Sequence, residues 1–190
     1  MNALVFATCD LTPEDWSDFA KAAGMPSDIT GGEPIAPFVL VHARSPTGLD
    51  VETGFTIRSS VKTEFSNAPW EDIKTAFIQF AEPHSRVVHT TFFLTLDEQS
   101  KNDRRVVIVH KTHEYRTAAD GREVDPSVPS KEEITKFVVW KRHRVPFEKA
   151  CMTYCLLQAD GGLDEEPYLQ SVDREPTGMA VDRSHSSRHF

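Results

Sequence analysis

Histidine side chains are the first candidates for chemistry, because imidazole binds metals and exchanges protons near neutral pH. His110 and His113 lie in the run VIVHKTHEYR, and His89 belongs to a neighbouring predicted strand. Three imidazoles on adjoining strands can hold a metal ion if they converge. Residues three apart in a strand point to opposite faces, so His110 and His113 converge only across a bulge. We therefore expect polar-face histidines rather than a metal site.

Only one pair of cysteines has a spacing that fits a metal site or a redox pair. Cys151 and Cys155 are four residues apart in a predicted helix and therefore lie on one side of it. They share that side with Phe147 and Tyr154, which favours a buried structural role. Cys9 has no basic neighbour that would lower its pKa. We expect no catalytic cysteine, no metal and no cofactor.

Sequence motifs of the common enzyme families are missing from the chain, including Gly-rich phosphate loops, G-x-S-x-G, H-E-x-x-H and C-x-x-C. Adjacent carboxylates do occur, but most of them fall in first turns of predicted helices, where the helix dipole accounts for them. These pairs are Glu14 with Asp15, Glu71 with Asp72, and Glu132 with Glu133. The sequence therefore favours a protein without catalytic activity.

A basic segment interrupts an acidic chain. The net charge is −8, yet residues 101–150 carry 12 basic and 8 acidic side chains. The run WKRHRVPF places cations beside an aromatic ring, which is typical of a surface that contacts an acidic partner. The same run also fits an edge strand protected by charge. The predicted partner-binding residues are Arg104, Arg105, Lys111, Arg116, Trp140, Lys141, Arg142 and Arg144.

The ends of the chain and its cysteine usage bear on the compartment. The first residues lack a basic region followed by an apolar stretch, so we expect no signal peptide. No window approaches 18 apolar residues, the length of a membrane-spanning helix. An odd number of cysteines without disulfide-framework spacing indicates a reducing environment. We expect an intracellular, cytoplasmic protein, or a virion component if the protein is viral, and not a secreted one.

The elements that would position these side chains follow from local patterns. A strand is predicted over residues 2–8, and Thr12, Pro13 and Asp15 then start a helix. A second strand is predicted over residues 38–44. Residues 55–65 alternate between apolar and polar side chains, which predicts a strand that is buried on one face.

The later elements are predicted in the same way. Apolar residues at helical spacing predict a helix over residues 70–80. Residues 86–96 and 104–116 form the strongest hairpin candidate. A capping-box pattern around Glu133 predicts a helix start, while residues 136–145 fit either a helix or a strand. A last helix is predicted from Pro146 onward.

The order of elements indicates the fold class. We expect one α+β domain over residues 1–162, with a mostly antiparallel sheet packed by three or four helices. Residues 163–190 have no sustained periodicity and are predicted to be a mobile tail. An α+β fold is favoured over a doubly wound parallel sheet because the predicted strands are mostly linked as hairpins.

The stretch FTIRSSVKTEFSNAPWEDIKTAFIQF resembles the start of the folded domain of rhabdovirus matrix proteins. There a long strand passes through a polar, proline-containing turn into an amphipathic helix. The chain departs from the animal-virus members of that family in its acidic N-terminus and in the run EEPYL, which replaces their P-P-x-Y motif. The resemblance implies a structural protein that self-associates and joins a nucleoprotein core to a membrane.

The sequence thus predicts a non-enzymatic interaction or assembly protein. Its expected partners are other copies of itself, together with a nucleoprotein or RNA and a peripheral membrane surface. One alternative is a small-molecule-binding or enzymatic fold with a pocket lined by Phe55, Ile57 and Phe77. A further alternative is an RNA-binding protein that uses Trp140 and the cations beside it.

Overall fold

A computed structural model describes residues 1–45, 54–125, 127–128, 132–158 and 168–172. Within these ranges the protein is an α+β fold with five helices and a mixed sheet whose sixth strand is only two residues long. The strands are β1 (Ala3–Ala7), β2 (Phe38–Val41), β3 (Phe92–Leu96), β4 (Arg105–Thr117), β5 (Ile134–Pro146) and β6 (Gln170–Ser171). The helices are α1 (Pro13–Ala23), α2 (Ser27–Thr30), α3 (Trp70–Ala81), α4 (Glu98–Asp103) and α5 (Phe147–Gln158).

The sheet combines a parallel half with an antiparallel half. Its strand order is β2-β1-β3-β4-β5-β6. Strand β1 pairs in parallel with β2 and with β3, because each connection contains a helix that returns the chain to the same end. The remaining pairings are antiparallel. The expected fold class is confirmed in this coarse form, since the sheet is mostly but not entirely antiparallel.

Helices cover both faces of the parallel half. Helices α1 and α5 pack on one face, here called the α1 face, and α3 packs on the other, the α3 face. Strands β2 and β3 lie on opposite sides of β1, so right-handed crossovers place α1 and α3 on opposite faces. Every residue of β1 and of β3 is buried. Because both faces are covered, the sequences of β1 and β3 are almost entirely apolar and do not alternate with polar residues.

Local signals explain where α1 begins and which side α1 and α3 bury. Helix α1 has a capping box in which the Thr12 side chain accepts from the Asp15 N–H and the Asp15 carboxylate accepts from the Thr12 N–H. It buries Trp16 and Phe19. Helix α3 buries Phe77 against Phe93 of β3, with ring centroids 4.5 Å apart. These helices confirm the sequence-based predictions.

The prediction of a strand over residues 55–65 is wrong. The segment is irregular and forms a single β-bridge, between Leu11 and Val61. Its alternating apolar residues are used differently, because Phe55 packs on the α1 face while Phe65 is buried on the α3 face. The segment is fastened over the end of β1, where the Thr63 hydroxyl donates to the Ala7 carbonyl. Alternation alone does not distinguish such a strap from a strand.

Three other predictions are corrected by the structure. The strand predicted over residues 86–96 is limited to β3, although its hairpin with β4 is confirmed. The loop predicted after it contains α4, which begins with a capping box of Asp97 and Ser100. The helix start predicted around Glu133 is not formed, because residues 136–145 belong to β5.

The C-terminal segment is only partly described. Residues 159–167 and 173–190 lie outside the described ranges, and so does most of the predicted tail. Residues 168–172 contain β6, which pairs antiparallel with β5. None of the described helices is long and apolar enough to span a membrane.

Candidate functional site

The β4–β5 hairpin extends well beyond the rest of the sheet. Both strands have 13 residues, but β3 pairs only with residues 107–110 of β4. Residues 111–117 and 134–140, here called the arm, pair mainly with each other. Burial falls along β4 from fully buried residues at 106–110 to mostly half-buried and exposed residues beyond them. The arm is therefore a two-stranded ribbon attached to a packed core.

The outer edge of β5 is uncovered over part of the arm. Strand β6 pairs with His143 and Arg144 only, and the Val172 N–H reaches the Arg142 carbonyl. Residues 134–139 have no neighbouring strand on that side within the described part of the chain. Exposed strand edges of this kind are templates for pairing with another chain.

One face of the arm gathers positive charge. Direct pairing and strand alternation place Lys111, His113 and Lys136 on the α3-facing side of the ribbon. The pKa of His113 is lowered by its partial burial in the ribbon and then by the charges of Lys136 and Lys111. Neither lysine forms an ion pair with a carboxylate in the described ranges. This face can accept an anionic partner.

Rings and cations stabilise both faces of the arm. The Lys136 ammonium lies 5.9 Å from the ring centroid of Tyr115, and the Arg116 guanidinium lies 5.5 Å from that of Phe137. Arg116 also donates to the Glu114 carboxylate at 2.8 Å. Exposed cation–π contacts contribute about 0.5–1 kcal/mol each. These contacts order the ribbon without burying it.

The predicted basic patch divides into three groups, and the residues of the first bind groups of the core and of the segment that contains β6. Arg104 binds the carboxylates of Asp18 and Glu148, and its backbone φ of 54° ends α4. Arg144 is buried and donates to the Asp97 carboxylate. Arg105 donates to the Tyr168 carbonyl at 2.7 Å and so holds the segment that contains β6.

Trp140 and its neighbours are packed against α3. The Trp140 ring is in edge contact with Trp70 and Phe77, with centroids 6.3 and 5.8 Å apart. The Arg142 guanidinium lies 5.3 Å from the Trp70 ring centroid. Lys141 falls on the α1 face of β5, opposite His110. The structure therefore places Lys111, Arg116 and Trp140 of the predicted patch in the arm and separates them from Arg104, Arg105 and Arg144.

The candidate histidines are dispersed. His89 is buried, stacks on Phe92 with centroids 4.6 Å apart, and contacts the Tyr154 hydroxyl at 3.1 Å. His110 stacks on His143 at 5.4 Å on the α1 face, whereas His113 lies on the opposite face. Within the described ranges no group of three or more His, Cys, Asp or Glu side chains is placed to hold a metal ion.

Cys9 and Cys151 lie in environments that disfavour the thiolate, whereas Cys155 is exposed rather than buried as the sequence suggested. Cys9 is buried at the end of β1, and this burial raises its pKa to about 11. Cys151 is half-buried, and its pKa is raised to about 11 by burial and then by the charge of Cys155. Thiols with raised pKa values are poor nucleophiles at neutral pH.

A cleft of about 210 Å³ opens at the carboxyl ends of β1 and β3. The connection from β1 leads toward β2 and that from β3 toward β4, so the cleft lies where the chain direction across the sheet reverses. Such switch points are the usual place for ligands in open α/β sheets. The lining residues are Leu11, Glu14, Asp15, Asp18, Leu96, Asp97, Ser100, Lys101 and Phe147.

The polar groups of the cleft are mostly engaged in holding helices. Asp15 and Asp97 cap α1 and α4, and Asp18 binds Arg104. Burial raises the pKa of Asp97, but hydrogen bonds from Arg144 and Ser100 outweigh this and leave it below its ordinary value. The cleft is thus a small acidic concavity with an apolar floor.

The sequence interpretation missed the cleft and misplaced the expected pocket. Phe55 and Ile57 pack on the α1 face and Phe77 on the α3 face, so these residues line no common cavity. Glu14 and Asp15 were visible as a carboxylate pair at a helix start. Their position across from Asp97 depends on the parallel pairing of β1 with β3, which has no local sequence signal.

Comparisons with known proteins give no relative: no protein-family model, curated protein or solved structure matches the chain.

Proposed function

We propose that the protein is a non-enzymatic assembly protein that self-associates through the arm and contacts an acidic partner through the basic face of the arm. The observation that carries this proposal is the edge of β5 over residues 134–139, which no other strand covers among the described residues. A layer-forming structural role of the viral matrix type, which the sequence resemblance implies, would be its most concrete form.

The edge supports self-association because of its length and composition. Residues 134–139 include Ile134, Phe137, Val138 and Val139, and Val138 is 39% exposed. An edge strand with exposed N–H and C=O groups gains backbone hydrogen bonds when another strand is added. The charge on Lys136 limits uncontrolled aggregation, as charges do on natural edge strands. Reversible association is the expected result.

The basic face supports an anionic partner. Lys111 and Lys136 flank His113, and their summed field already disfavours a further positive charge on the imidazole. An anionic partner would relieve this repulsion and would release salt counterions if it is a nucleic acid. RNA or a nucleoprotein surface fits this chemistry.

Light scattering after size exclusion, over a range of protein concentrations, tests self-association. We expect a concentration-dependent rise in mass for the unchanged protein. Val138→Pro should abolish that rise, because it removes an N–H that points away from β4 and leaves the β4–β5 ladder intact. Val138→Thr keeps the N–H and is the matched control. Equal association of the two variants would refute the proposal.

Binding of single-stranded RNA, measured by fluorescence anisotropy at several salt concentrations, tests the basic face. A variant with Lys111→Ala and Lys136→Ala should bind at least tenfold more weakly and show a smaller salt dependence. Arg104→Ala is the control, because Arg104 is already paired with Asp18 and Glu148. If Arg104→Ala weakens binding as much as the double variant, the basic face is not the contact surface.

A small-molecule-binding role is the second candidate, favoured by the cleft at the carboxyl ends of β1 and β3. Four carboxylates, one ammonium group and an apolar floor of Leu11, Leu96 and Phe147 suit a small organic cation. A thermal-shift series of alkyl and aryl amines tests this role. Leu96→Trp should remove any stabilisation by filling the cleft, whereas Val138→Thr on the distant arm should not.

A further inference from the structure

We infer that two copies of the protein pair their β5 edges antiparallel about a two-fold axis at Phe137. This inference rests on the proposed self-association and adds its register and its partner, a second copy of this chain. Lys136 of one copy then lies opposite Val138 of the other, and Phe137 lies opposite Phe137. The hairpins of the two copies would form one continuous four-stranded ribbon.

The direction of the backbone groups limits the possible registers. The Arg142 carbonyl accepts from the Val172 N–H, and β6 lies on the side of β5 away from β4. Backbone groups of successive strand residues point to alternate sides, so those of Ile134, Lys136 and Val138 also point outward. Self-pairing must therefore match outward residues with outward residues, which requires the axis to fall on a residue.

The charges of the side chains and the part of the β5 edge already bonded to the β6 segment then select the position of the two-fold axis. An axis at Lys136 places two lysines directly opposite each other, which is destabilising. An axis at Val139 places Lys136 opposite Arg142, whose carbonyl is already bonded to Val172. An axis at Val138 forms only the two central bonds between the Val138 residues before it needs Trp140, next to the region that β6 occupies. An axis at Thr135 places Phe137 and Val138 opposite Glu133 and Glu132. An axis at Phe137 forms four central bonds between Lys136 and Val138, and it places Ile134 opposite Trp140 only at the ends of the seam.

The side chains across this seam are compatible. On the α1 face, Phe137 meets Phe137 and Thr135 meets Val139, with no charge opposite a like charge. On the α3 face, the Lys136 stem meets Val138, which is exposed in the single chain. Each Lys136 ammonium keeps its place near Tyr115 at the margin of the ribbon. The pattern is therefore self-complementary.

Disulfide crosslinking tests the register in the full chain, with Cys151→Ser and Cys155→Ser as the background. Residues at a two-fold axis that do not share hydrogen bonds have Cα atoms about 4.5 Å apart, within disulfide range. Under mild oxidation, Phe137→Cys should give a reducible dimer in high yield. Val138→Cys should give several-fold less, because its nearest counterpart across the seam is Lys136.

A second pair of variants covers the case in which Phe137→Cys does not fold. Chains with Thr135→Cys and chains with Val139→Cys should crosslink to each other and much less to themselves. A higher dimer yield for Val138→Cys than for Phe137→Cys would overturn the register. Absence of crosslinks from all four variants, while light scattering still shows a dimer, would overturn the use of the β5 edge. Absence of any dimer would instead refute the proposed self-association.

Discussion

The parallel half of the sheet and the arm belong to the same molecule but use their polar groups in opposite ways. In the parallel half, β1 and β3 are buried on both faces, and the Asp97 carboxylate at the end of β3 binds Arg144 of β5. In the arm, apolar side chains are only half-buried and the β5 edge is uncovered within the described residues. The comparison indicates that stability resides in the first region, whereas the proposed recognition belongs to the second.

The difference follows from what covers each region. Helices α1, α3 and α5 pack on the sheet from β2 to the beginning of β4, where the residues form two apolar clusters. Beyond residue 110 of β4, most side chains lie outside these clusters and are half-buried or exposed. A two-stranded ribbon cannot bury much area by itself and is marginally stable alone. Its exposed edge persists because the ribbon is anchored to the core.

The largest expected effect comes from paired phenylalanine substitutions in the two regions. Phe93 is fully buried among Phe6, Trp70 and Phe77, so Phe93→Ala should lower the free energy of unfolding by about 3–5 kcal/mol. Phe137→Ala in the arm should lower it by about 1 kcal/mol, because its ring is only half-buried. Urea unfolding measures both. Similar losses would contradict the division into core and arm.

A smaller effect is expected at the ion pair that joins β3 to β5. Asp97 caps α4 and accepts from the buried Arg144 guanidinium. Asp97→Ala removes both interactions and should lower the free energy of unfolding by about 2–3 kcal/mol. Glu98→Ala in the same helix, whose ion pair with Lys101 is exposed, is the control and should change it by less than about 0.5 kcal/mol. An unchanged free energy of unfolding in Asp97→Ala would show that the ion pair does not stabilise the core.

The buried His89 gives the core a pH dependence. Its pKa is lowered by burial and then by the positive N-terminus, so the folded state resists its protonation. The contribution of neutral His89 to the free energy of unfolding should therefore be fully present above the ordinary histidine pKa of 6.5. The free energy of unfolding should fall as the pH drops below that value. Urea unfolding at pH 7 and pH 5 measures the fall, which reaches at most about 1.4 kcal/mol per pH unit for one proton. His89→Gln should flatten it, and an unchanged slope would exclude His89 as the source.

The smallest stability effect is expected in the arm. Lys136→Ala removes the cation near Tyr115 and should lower the free energy of unfolding by about 0.5 kcal/mol. The same change should reduce RNA binding, because it removes half of the lysine pair beside His113. Lys101→Ala, whose ion pair with Glu98 is exposed, is a control with a similar stability effect. Equal RNA binding by the two variants would argue against a functional arm.

Much of the fold could be predicted because its signals are local. The capping box of Thr12 and Asp15, the apolar stripe of α3 and the β3–β4 hairpin all arise from residues close in the chain. The candidate site was less predictable. Lys111 and Arg116 were identified as part of a basic segment, but Lys136 was not, because its neighbours depend on the register between β4 and β5.

The sequence by itself determined helices α1, α3 and α5, the hairpin and the separation of apolar from charged segments, because caps and periodicities act over a few residues. Only the tertiary structure decided that residues 55–65 form a strap, that β1 lies between β2 and β3, and that Arg144 is buried. It also decided which part of β5 lacks a neighbouring strand among the residues that the structure describes. These outcomes depend on pairing and packing between residues far apart in the chain. The residues next to each other in the sequence therefore do not predict them.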